Sequence, residues 1–395
     1  MSALQTFDAV VVGGGPSGAT AADDLARAGR NVLLLDRAGR IKPCGGAIPP
    51  RLIRDFAIPD HLLVARVRSA RMVSPKAKKV DMPIENGFVG MVDREVFDEW
   101  LRERAAANGA TRQTGTFERI EHDPDGTAVV VYTDRDGTER RARGKVVVGA
   151  DGAKSQVAKQ CVPGSDHVRY VFAYHEIVSS PRHGCGEFDA ARCDVWYQGT
   201  ISPDFYGWVF PHGDTTSVGS GSARKGFSLR KSVSDLRAAA GLSGQATVRR
   251  EGAPIPLRPM KRWDNRRDVV LAGDAAGVVA PASGEGIYYA MAGGRLAAEA
   301  AEQFLATGDV RALATARKRF MKAHGRVFLI LGMMQWFWYS SDKRREKFVK
   351  LCEDPDIQRL TWDSYMNKEL VRRDPMAHVR VFLKDMAHLL GFAQA

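Results

Sequence analysis

Cysteine is scarce in this sequence, and long apolar runs are absent. The 395 residues include five cysteines with no CxxC spacing among them, at positions 44, 161, 185, 193 and 352. An odd number of cysteines without paired spacing argues against a disulfide framework and favours a reducing compartment. The longest nearly continuous apolar stretch, 327–339, is thirteen residues long, whereas a helix needs about 20 to cross a bilayer. We therefore expect no transmembrane span.

Acidic residues are too few to balance the basic ones. The 58 lysines and arginines outnumber the 46 aspartates and glutamates and give a formal net charge of +12. Such an excess suits anionic cofactors, an anionic membrane surface or nucleic acid. The basic residues are spread along the chain and form none of the usual nucleic-acid-binding motifs, so we expect no nucleic-acid partner. The first residues lack the basic segment and cleavage site of a secretory signal peptide, so none is expected.

Short apolar runs are present, and their order predicts an α/β fold. Residues 8–12 read DAVVV, a helical pattern follows at about 17–29, and NVLLLD at 31–36 predicts a second buried strand. This strand–turn–helix–strand order is typical of the start of a doubly wound sheet. A further amphipathic helix is predicted at 94–109, with an apolar face made of Val96, Phe97, Trp100, Leu101 and Ala105.

The nucleotide-binding pattern is interrupted, which predicts a discontinuous domain. Short alternating stretches between about 165 and 260 predict an antiparallel sheet. The buried-strand pattern then returns at 268–277, and a helix is expected from about 284 to 306. We assign residues 1–70, 90–164 and 262–306 to the nucleotide-binding domain. Residues 71–89 and 165–261 would form an inserted antiparallel-sheet substrate domain, and residues 307–395 a helical C-terminal region.

The segment VVVGGGPSG carries glycines at GxGxxG spacing. Gly13 allows a tight turn, Gly15 lets a pyrophosphate approach the backbone, and Gly18 lets the helix pack close to the strand. Asp36 ends the second strand, where an acid binds a ribose hydroxyl. Three glycines alone could mark any turn, but strand, helix, strand and acid in register predict dinucleotide binding.

Two further glycine–acid turns favour FAD over a nicotinamide cofactor. LAGDAAG places Gly273 and Asp274 after a strand, and PASGEGI at 281–287 opens a long helix. They offer an acid for a second sugar site and helix N–H groups for a second anionic group. Two such sites about 250 residues apart suit a long, extended dinucleotide, although Asp274 could also be a simple helix cap. GADGAKS, with Asp151, is a third turn of this kind.

Together these motifs resemble the flavoproteins of para-hydroxybenzoate hydroxylase type. Within that group, PCGG at 43–46 and YGWVFPHGDTTSVGSG at 206–221, which fits YxWxFP followed by GxG, resemble the geranylgeranyl reductases. The C-terminal run 330–368 resembles the bacteriochlorophyll and chlorophyll branch of these reductases. The resemblance extends over nearly the whole chain. It implies a Rossmann-like FAD-binding domain with an inserted antiparallel β-sheet substrate domain and a helical C-terminal region.

The resemblance also implies the residues that hold FAD. Arg94 would pair with the pyrophosphate, the alternative being a solvated arginine at a helix start, where the helix dipole disfavours it. The segment after Asp36 would lie along the flavin ring. The implied cofactor-binding residues are Gly13, Gly15, Ser17, Gly18, Asp36, Cys44, Gly45, Gly46, Arg94, Asp151, Gly273, Asp274, Gly284, Gly286 and Ile287.

Three residues are candidates for a catalytic role. Cys44 would lie near the flavin as a proton donor, although it could equally be a buried filler. Tyr206 and Trp208 alternate on a predicted strand and so point to one face, where an apolar wall would suit an isoprenoid chain. An ordinary sheet core is the alternative. The implied substrate-binding residues are Tyr206, Trp208, Phe210, Pro211, Gly219 and Gly221, with the two glycines leaving room opposite.

A metal site is not expected. His183, Cys185 and Cys193 lie close in the sequence, but no fourth ligand with zinc spacing is near them. The segment 327–347 instead combines tryptophans and leucines with Lys343, Arg344, Arg345 and Lys347. An element of this kind predicts contact with an anionic membrane surface, while a core helix with a charged end is the alternative. We expect a protein on the cytoplasmic side, peripherally associated with a photosynthetic membrane.

The resemblance implies an FAD-dependent reductase. Its substrate would be geranylgeranyl-bacteriochlorophyll or geranylgeranyl diphosphate, whose geranylgeranyl chain would lose three double bonds stepwise to become phytyl. NADPH is implied as a transient reductant, although no second GxGxxG is present to hold it, and a small electron carrier is the alternative donor. Two alternatives are an FAD-dependent aromatic monooxygenase of the same fold and a flavin-bearing pigment-carrier or assembly protein.

Overall fold

A computed structural model describes residues 5–37, 39, 41–181 and 187–368 of the chain. His183, Cys185 and residues 369–395, which figure in the predictions above, lie outside the described residues. The strands are β1 (Gln5–Val12), β2 (Val32–Asp36), β3 (Ala47–Ile48), β4 (Leu63–Val67), β5 (Ser69–Val73), β6 (Lys79–Pro83), β7 (Val89–Val92), β8 (Thr111–His122), β9 (Ala128–Asp134), β10 (Glu139–Gly149), β11 (Tyr170–Ser179), β12 (Arg192–Trp196), β13 (Gly207–His212), β14 (Thr215–Ser222), β15 (Thr247–Pro256) and β16 (Val269–Leu271). The helices are α1 (Pro16–Arg27), α2 (Pro50–Asp55), α3 (Arg94–Ala107), α4 (Gln156–Cys161), α5 (Leu229–Ala239), α6 (Ile287–Thr307), α7 (Thr315–Trp338), α8 (Asp342–Leu351) and α9 (Pro355–Asn367).

The first sheet is a parallel sheet with an antiparallel flap. Its parallel part has the order β8-β2-β1-β10-β16, and β9 pairs antiparallel with the far ends of β8 and β10. The valines and leucines of β1, β2 and β10 are almost fully buried because helices or other layers lie on both faces, as in doubly wound sheets. This architecture confirms the predicted α/β class.

Helices α1, α3 and α6 pack around this sheet. On α3, Phe97, Leu101 and Ala105 are fully buried, as the sequence predicts. Val96 is 56% exposed, so its assignment to the apolar face was wrong: it lies on the outer side of the first helical turn. Helix α6 begins at Ile287, later than predicted, because Ala282 and Gly284 in the preceding loop have positive φ and cannot be helical.

The second sheet has seven strands in the order β15-β11-β14-β13-β12-β5-β6. All neighbours are antiparallel except β12 and β5. Helix α5 covers one face through Val233 and Leu236, which pack against Val209 and Val218. The other face looks towards the parallel sheet. The small sheet β3-β7-β4 lies between the two along the chain, and the predicted domain boundaries stay a prediction.

Helices α7, α8 and α9 follow the last strand. Helix α7 inserts Phe320 and Phe328 into the main core. Helix α8 is fixed by Arg345, which is 2% exposed and bonds the carbonyls of Pro203 and Tyr339. Helix α9 packs against α2. None of the helices in the described part of the chain combines the length and the hydropathy that a membrane crossing requires.

Candidate active site

A cavity of about 380 Å³ lies between the two large sheets. Its walls come from the PCGG segment, the connection from β16 to α6, the inner face of the seven-stranded sheet and helices α7 to α9. Most lining side chains are apolar, and the polar ones are few and specific, as in sites for organic ligands. They include Cys44, Arg94, His175, Tyr206, Asp274 and Glu285.

The first glycine motif forms the turn between β1 and α1. Gly13 has φ +105°, and a methyl group there would lie 2.3 Å from the carbonyl oxygen of Ala150. A methyl group on Gly18 would lie 1.8 Å from the carbonyl oxygen of Gly13. Gly15 differs, because a methyl group there would meet no atom within 4 Å. The turn therefore needs Gly13 and Gly18 for its own packing and leaves Gly15 open to a ligand.

Asp36 and Arg102 form the polar end of this turn. The Nη1 atom of Arg102 lies 3.1 Å from the carbonyl oxygen of Gly14 and 3.3 Å from Oδ2 of Asp36. Burial raises the pKa of Asp36 above its ordinary value, against the opposing effects of the Gly14 backbone and Arg102. A neighbouring cavity of about 210 Å³ is lined by Arg37, Arg112 and Arg135. This end offers a carboxylate acceptor and guanidinium donors to a sugar and phosphate.

The β16–α6 connection brings the second predicted cofactor motif to the cavity. Asp274 is buried and forms an ion pair with Lys42, with 2.5 Å between Nζ and Oδ2. Gly286 precedes Ile287, the first residue of the 21-residue helix α6. The N–H groups of its first turn have no partner within the helix, and that of Tyr288 donates to the Glu285 carboxylate at 3.3 Å. Gly284 has φ +64° and packs against the rings of Phe205 and Tyr206.

Gly273 and Ser17 are placed by helix packing. A methyl group on Gly273 would lie 2.4 Å from Oγ of Ser17, and a methyl group on Gly294 would lie 2.2 Å from the carbonyl oxygen of Ser17. Ser17 is therefore enclosed between the β16 turn and α6. These contacts fix α1 against α6, and any contact of Ser17 or Gly273 with the cofactor stays a prediction.

Arg94 is buried below the PCGG segment, so the solvated alternative is wrong. Its Nε and Nη2 atoms each lie 2.7 Å from the carboxylate of Asp98. Burial alone lowers the pKa of Arg94, but Asp98 and the neighbouring Cys44 together raise it above its usual range. The pair fixes the Arg94 guanidinium beside the thiol, with its charge balanced by Asp98. Pairing with a pyrophosphate stays a prediction, since Asp98 already holds two of its nitrogens.

The PCGG backbone is closely surrounded. A methyl group on Gly45 would touch the Phe210 ring at 3.0 Å, and one on Gly46 would lie 2.4 Å from Nε2 of His212. The Sγ atom of Cys44 accepts from the backbone N–H of Gly46 at 3.4 Å. Both glycines thus bring this segment close to β13, and Cys44 is held in the cavity wall.

Asp151 does not face the cavity. Its carboxylate accepts from the Ser155 hydroxyl and from the backbone N–H groups of Gln156 and Val157 at 2.6 and 3.2 Å. Those bonds satisfy free donors at the start of α4. The Asp151 backbone packs on Gly13, so the third glycine–acid turn supports the first one, and any contact of Asp151 with the cofactor stays a prediction.

Tyr206, Trp208 and Phe210 line one side of the cavity, as their alternation predicts. The ring centroids are 6.1 Å apart for Tyr206 and Trp208 and 6.4 Å apart for Trp208 and Phe210. The Tyr206 hydroxyl donates to the carbonyl oxygen of Ser283 at 2.5 Å, and burial raises the pKa of Tyr206. The tyrosine is therefore a neutral, anchored ring at neutral pH.

Three predicted substrate residues lie away from the cavity wall. A methyl group on Gly219 would lie 2.1 Å from Cζ2 of Trp208, and one on Gly221 would lie 2.9 Å from Phe205 and Val171. These glycines make room for side chains of the protein, which corrects the expectation that they leave space for a ligand opposite. Pro211 is buried in β13 and is not among the cavity-lining residues.

Several lining residues were not predicted. Helix α9 contributes Trp362 and Tyr365, and Lys368 just beyond it pairs with Glu285 at 2.5 Å, both side chains being almost fully buried. Arg94, Asp98 and Arg102 are four residues apart on α3 and so share one helical face. That spacing could have identified Arg102 as a residue of the site. No local signal marks Lys42, Glu285 or the α9 residues, because only the tertiary fold brings them here.

The described residues contain no cluster of histidine, cysteine, aspartate or glutamate that could hold a metal ion. Of the cysteines that the structure describes, Cys44, Cys161, Cys193 and Cys352 are unpaired. An extended dinucleotide fits the three glycine-rich segments, the open space at Gly15 and the two ion-paired acids, Asp36 and Asp274. A hydrocarbon fits the apolar remainder of the cavity.

Comparison with known proteins decides the family. The chain is 60% identical to the geranylgeranyl diphosphate reductase of Rhodobacter capsulatus over 386 residues, which cover 98% of each protein. This protein belongs to the geranylgeranyl reductase family. The reductase is also 35% identical to the geranylgeranyl diphosphate reductase of a Synechocystis species, over 96% of this chain and 97% of that one. It is an FAD-dependent oxidoreductase.

Family models and a solved structure agree with this assignment. Residues 57–172 of the reductase match the FAD binding domain, and residues 11–53 match the NAD(P)-binding Rossmann-like domain. A geranylgeranyl bacteriochlorophyll reductase-like protein from Thermoplasma acidophilum superposes with a TM-score of 0.82 at 22% identity, over 95% of this chain and 100% of that one. At that identity the likeness shows the shared fold, which confirms the predicted fold class.

Proposed function

We propose that this reductase saturates, in steps, three double bonds of a geranylgeranyl chain carried by bacteriochlorophyll or by diphosphate, with NADPH as the donor. The observation that carries the proposal is one continuous cavity. It is polar where Asp274, Lys42 and the α6 N-terminus meet, and apolar where Trp208 and the α9 residues face it. A flavin and a hydrocarbon chain can therefore lie in contact away from water.

The chain's own residues supply binding, orientation and exclusion of water. Gly15, Asp36 and the start of α6 would hold the dinucleotide, and the aromatic wall would orient the isoprenoid chain against it. Reduced FAD, when bound, supplies the hydride that the reaction consumes. Isolated alkenes are not polarised by a carbonyl group, so aromatic faces such as Trp208 would steady the positive charge that develops on protonation. Cys44, beside Arg94, is the proposed proton donor.

The first test is anaerobic reoxidation of the bound flavin. Reduced enzyme in excess over geranylgeranylated bacteriochlorophyll should reoxidise without oxygen. Each reduced flavin supplies two electrons, so the pigment should gain two hydrogens per flavin reoxidised, and a gain of six requires three reduced flavins. Absorbance of the flavin and mass of the pigment measure the two events together. A flavin that reoxidises only after air is admitted would indicate a monooxygenase, and one unaffected by pigment would indicate a carrier protein.

A parallel reaction with geranylgeranyl diphosphate distinguishes the two substrate carriers. The hydrocarbon part is identical, so the ratio of kcat/KM for the two substrates reports the contribution of the head group alone. A preference of more than about tenfold for either carrier would assign it as the substrate, because that factor corresponds to about 1.4 kcal/mol of differential binding.

A membrane surface is the proposed partner of helix α7. The side chains of Leu329, Met333 and Trp336 are 64%, 53% and 76% exposed and share one helical face, which continues to the exposed basic residues Lys322 and Arg326. On another face of α7, Leu331 and Met334 line the cavity. A membrane-bound hydrocarbon chain would thus reach the cavity beside the surface that contacts the lipid. We propose peripheral association on the cytoplasmic side.

The structure corrects one part of the predicted membrane-binding segment. Arg345 was included among its basic residues, but that side chain is buried and bonds the protein backbone. Arg344 stacks over Phe337 at 4.2 Å. Lys343 is exposed and remains available, together with Lys322 and Arg326, to anionic headgroups.

Substituting glutamine for Leu329, Met333 and Trp336 together should weaken binding to vesicles. Burial of each such side chain stabilises a complex by about 1.5–3 kcal/mol, so the triple variant should lose at least roughly 100-fold in affinity. Co-sedimentation with vesicles of phosphatidylglycerol and phosphatidylcholine measures the change. The matched control replaces Val96 and Val248, which are 56% and 61% exposed elsewhere. Equal binding by both variants would exclude α7 as the contact.

A further inference from the structure

Four residues form one row across the inner face of the seven-stranded sheet. Glu251 on β15 pairs with His175 on β11, His175 pairs with Gly219 on β14, and Gly219 pairs with Trp208 on β13. Because paired residues lie side by side across a sheet, their side chains share a face. Gly219 has no side chain, and the indole of Trp208 lies over its Cα position, which brings the indole within 6.2 Å of the His175 ring, centroid to centroid.

A hydrogen-bonded chain runs along this row. Nε1 of Trp208 donates to Oγ of Ser217 at 3.0 Å, and Nδ1 of His175 lies 2.9 Å from the same oxygen. Nε2 of His175 lies 2.9 Å from Oε2 of Glu251. Ser217 is fully buried and His175 is 3% exposed. Arg249 forms an ion pair with the second carboxylate oxygen of Glu251 at the edge of the sheet.

The chemistry of these groups fixes the direction of the chain. An indole N–H can only donate, so the Ser217 oxygen accepts from Trp208. The Ser217 hydroxyl then has Nδ1 of His175 as its acceptor, and Nε2–H of His175 donates to the Glu251 carboxylate. Every donor of the row finds an acceptor in this arrangement.

We propose that Ser217, His175 and Glu251 are positioning residues that hold the Trp208 indole in its orientation towards the cavity. This inference rests on the proposed function, in which Trp208 faces the reacting chain. The indole is buried and borders the cavity on one side, and contact with neighbouring rings sets no direction for its N–H group. The bond from Nε1 to Ser217 supplies that direction, and His175 and Glu251 keep the Ser217 oxygen available to accept.

Ser217→Ala is the first test, with Ser220→Ala as its matched control. Ser220 is also fully buried on β14, and its hydroxyl donates to the carbonyl oxygen of Ile201 at 2.6 Å, away from the row. Each variant therefore loses one buried serine hydroxyl from the same strand. We expect Ser217→Ala to lower kcat for reoxidation by geranylgeranyl diphosphate by roughly 10- to 100-fold, as mispositioned groups do. FAD affinity should stay as in Ser220→Ala.

A structural readout accompanies the kinetic one. The indole N–H resonance of Trp208, assigned by its loss in Trp208→Phe, should move in Ser217→Ala and stay in place in Ser220→Ala. Ser217→Thr, which keeps the hydroxyl, should restore both the resonance and kcat. An unmoved resonance, or equal kcat in the two alanine variants, would overturn the proposal.

His175→Leu keeps the test open if Ser217→Ala does not fold. It removes both imidazole hydrogen bonds, while Glu251 keeps its partner Arg249. We expect the same displacement of the Trp208 resonance and a comparable fall in kcat, and no change in either would overturn the proposal. If the wild-type enzyme itself does not reduce the isoprenoid chain, the proposed function fails, while the resonance still decides whether the row positions Trp208.

Discussion

Replacing Gly15 by alanine should strongly weaken FAD binding and leave the apoprotein folded. The backbone at Gly15 has φ −74° and ψ −175°, which alanine adopts without strain. An added methyl group would meet no protein atom within 4 Å and would project into the space that a pyrophosphate needs. A steric penalty of about 3 kcal/mol corresponds to roughly 100-fold weaker binding.

Two further glycine variants make this result specific. Gly244→Ala is the matched control, because Gly244 also has open space around it and lies in an exposed turn; its FAD affinity and melting temperature should equal the wild-type values. Gly18→Ala should instead unfold the domain, since its methyl group would overlap the Gly13 carbonyl. Fluorescence titration with FAD and thermal denaturation of the apoprotein measure both effects. Tight FAD binding by Gly15→Ala would place the pyrophosphate elsewhere.

Gly219→Ala should cost the protein both stability and turnover. Its methyl group would lie 2.1 and 2.4 Å from two indole carbons of Trp208 and 2.7 Å from Cβ of His175. Such contacts force side chains and strands apart, so we expect a loss of about 1–3 kcal/mol in the free energy of unfolding. The displaced indole would no longer reach Ser217, and kcat should fall by at least roughly tenfold.

Combining Gly219→Ala with Trp208→Phe should restore part of the lost stability. The smaller ring removes the overlap with the indole and leaves the one with His175, so the two substitutions should couple by about 0.5–3 kcal/mol. Urea denaturation of the two single variants and the double variant measures this coupling. Gly252→Ala is the control, since its nearest contact is 3.1 Å, to the Ala173 carbonyl oxygen. Strictly additive losses would show that Gly219 does not accommodate the indole.

Local patterns in the sequence were enough to predict the turns that we propose hold the cofactor. The turn from Gly13 to Gly18 and the strand ends at Asp36 and Asp274 each have a signature within a short segment. At Gly18 the residue type is dictated by local backbone geometry, since a methyl group would lie 1.8 Å from the Gly13 carbonyl oxygen. The alternation of Tyr206, Trp208 and Phe210 likewise predicted a shared face, because the strand period is two.

The sequence could not predict which residues face each other across paired strands, and the wrong role for Gly219 follows from that. The role of Gly219 follows from its register opposite Trp208 and His175, which depends on three separate strands. Asp151 has the same glycine–acid signature as Asp274 but caps α4, because it lies on the other side of the Gly13 turn. Val96 is exposed because, at about 3.6 residues per turn, its side chain lies outside the face that Phe97 and Leu101 share.

The order of the elements along the chain has a consequence for synthesis on the ribosome. Gly13 emerges early, but Asp274 and Gly286 follow it by about 260 residues, and β16 must then pair with the already folded β10. A nascent chain therefore contains the Gly13 turn but not the second part of the proposed FAD site until α6 has left the exit tunnel. Trp362 and Tyr365, which close the cavity, emerge later still. Because domains fold as they emerge, we expect flavin to enter the cavity on the side that α9 later covers.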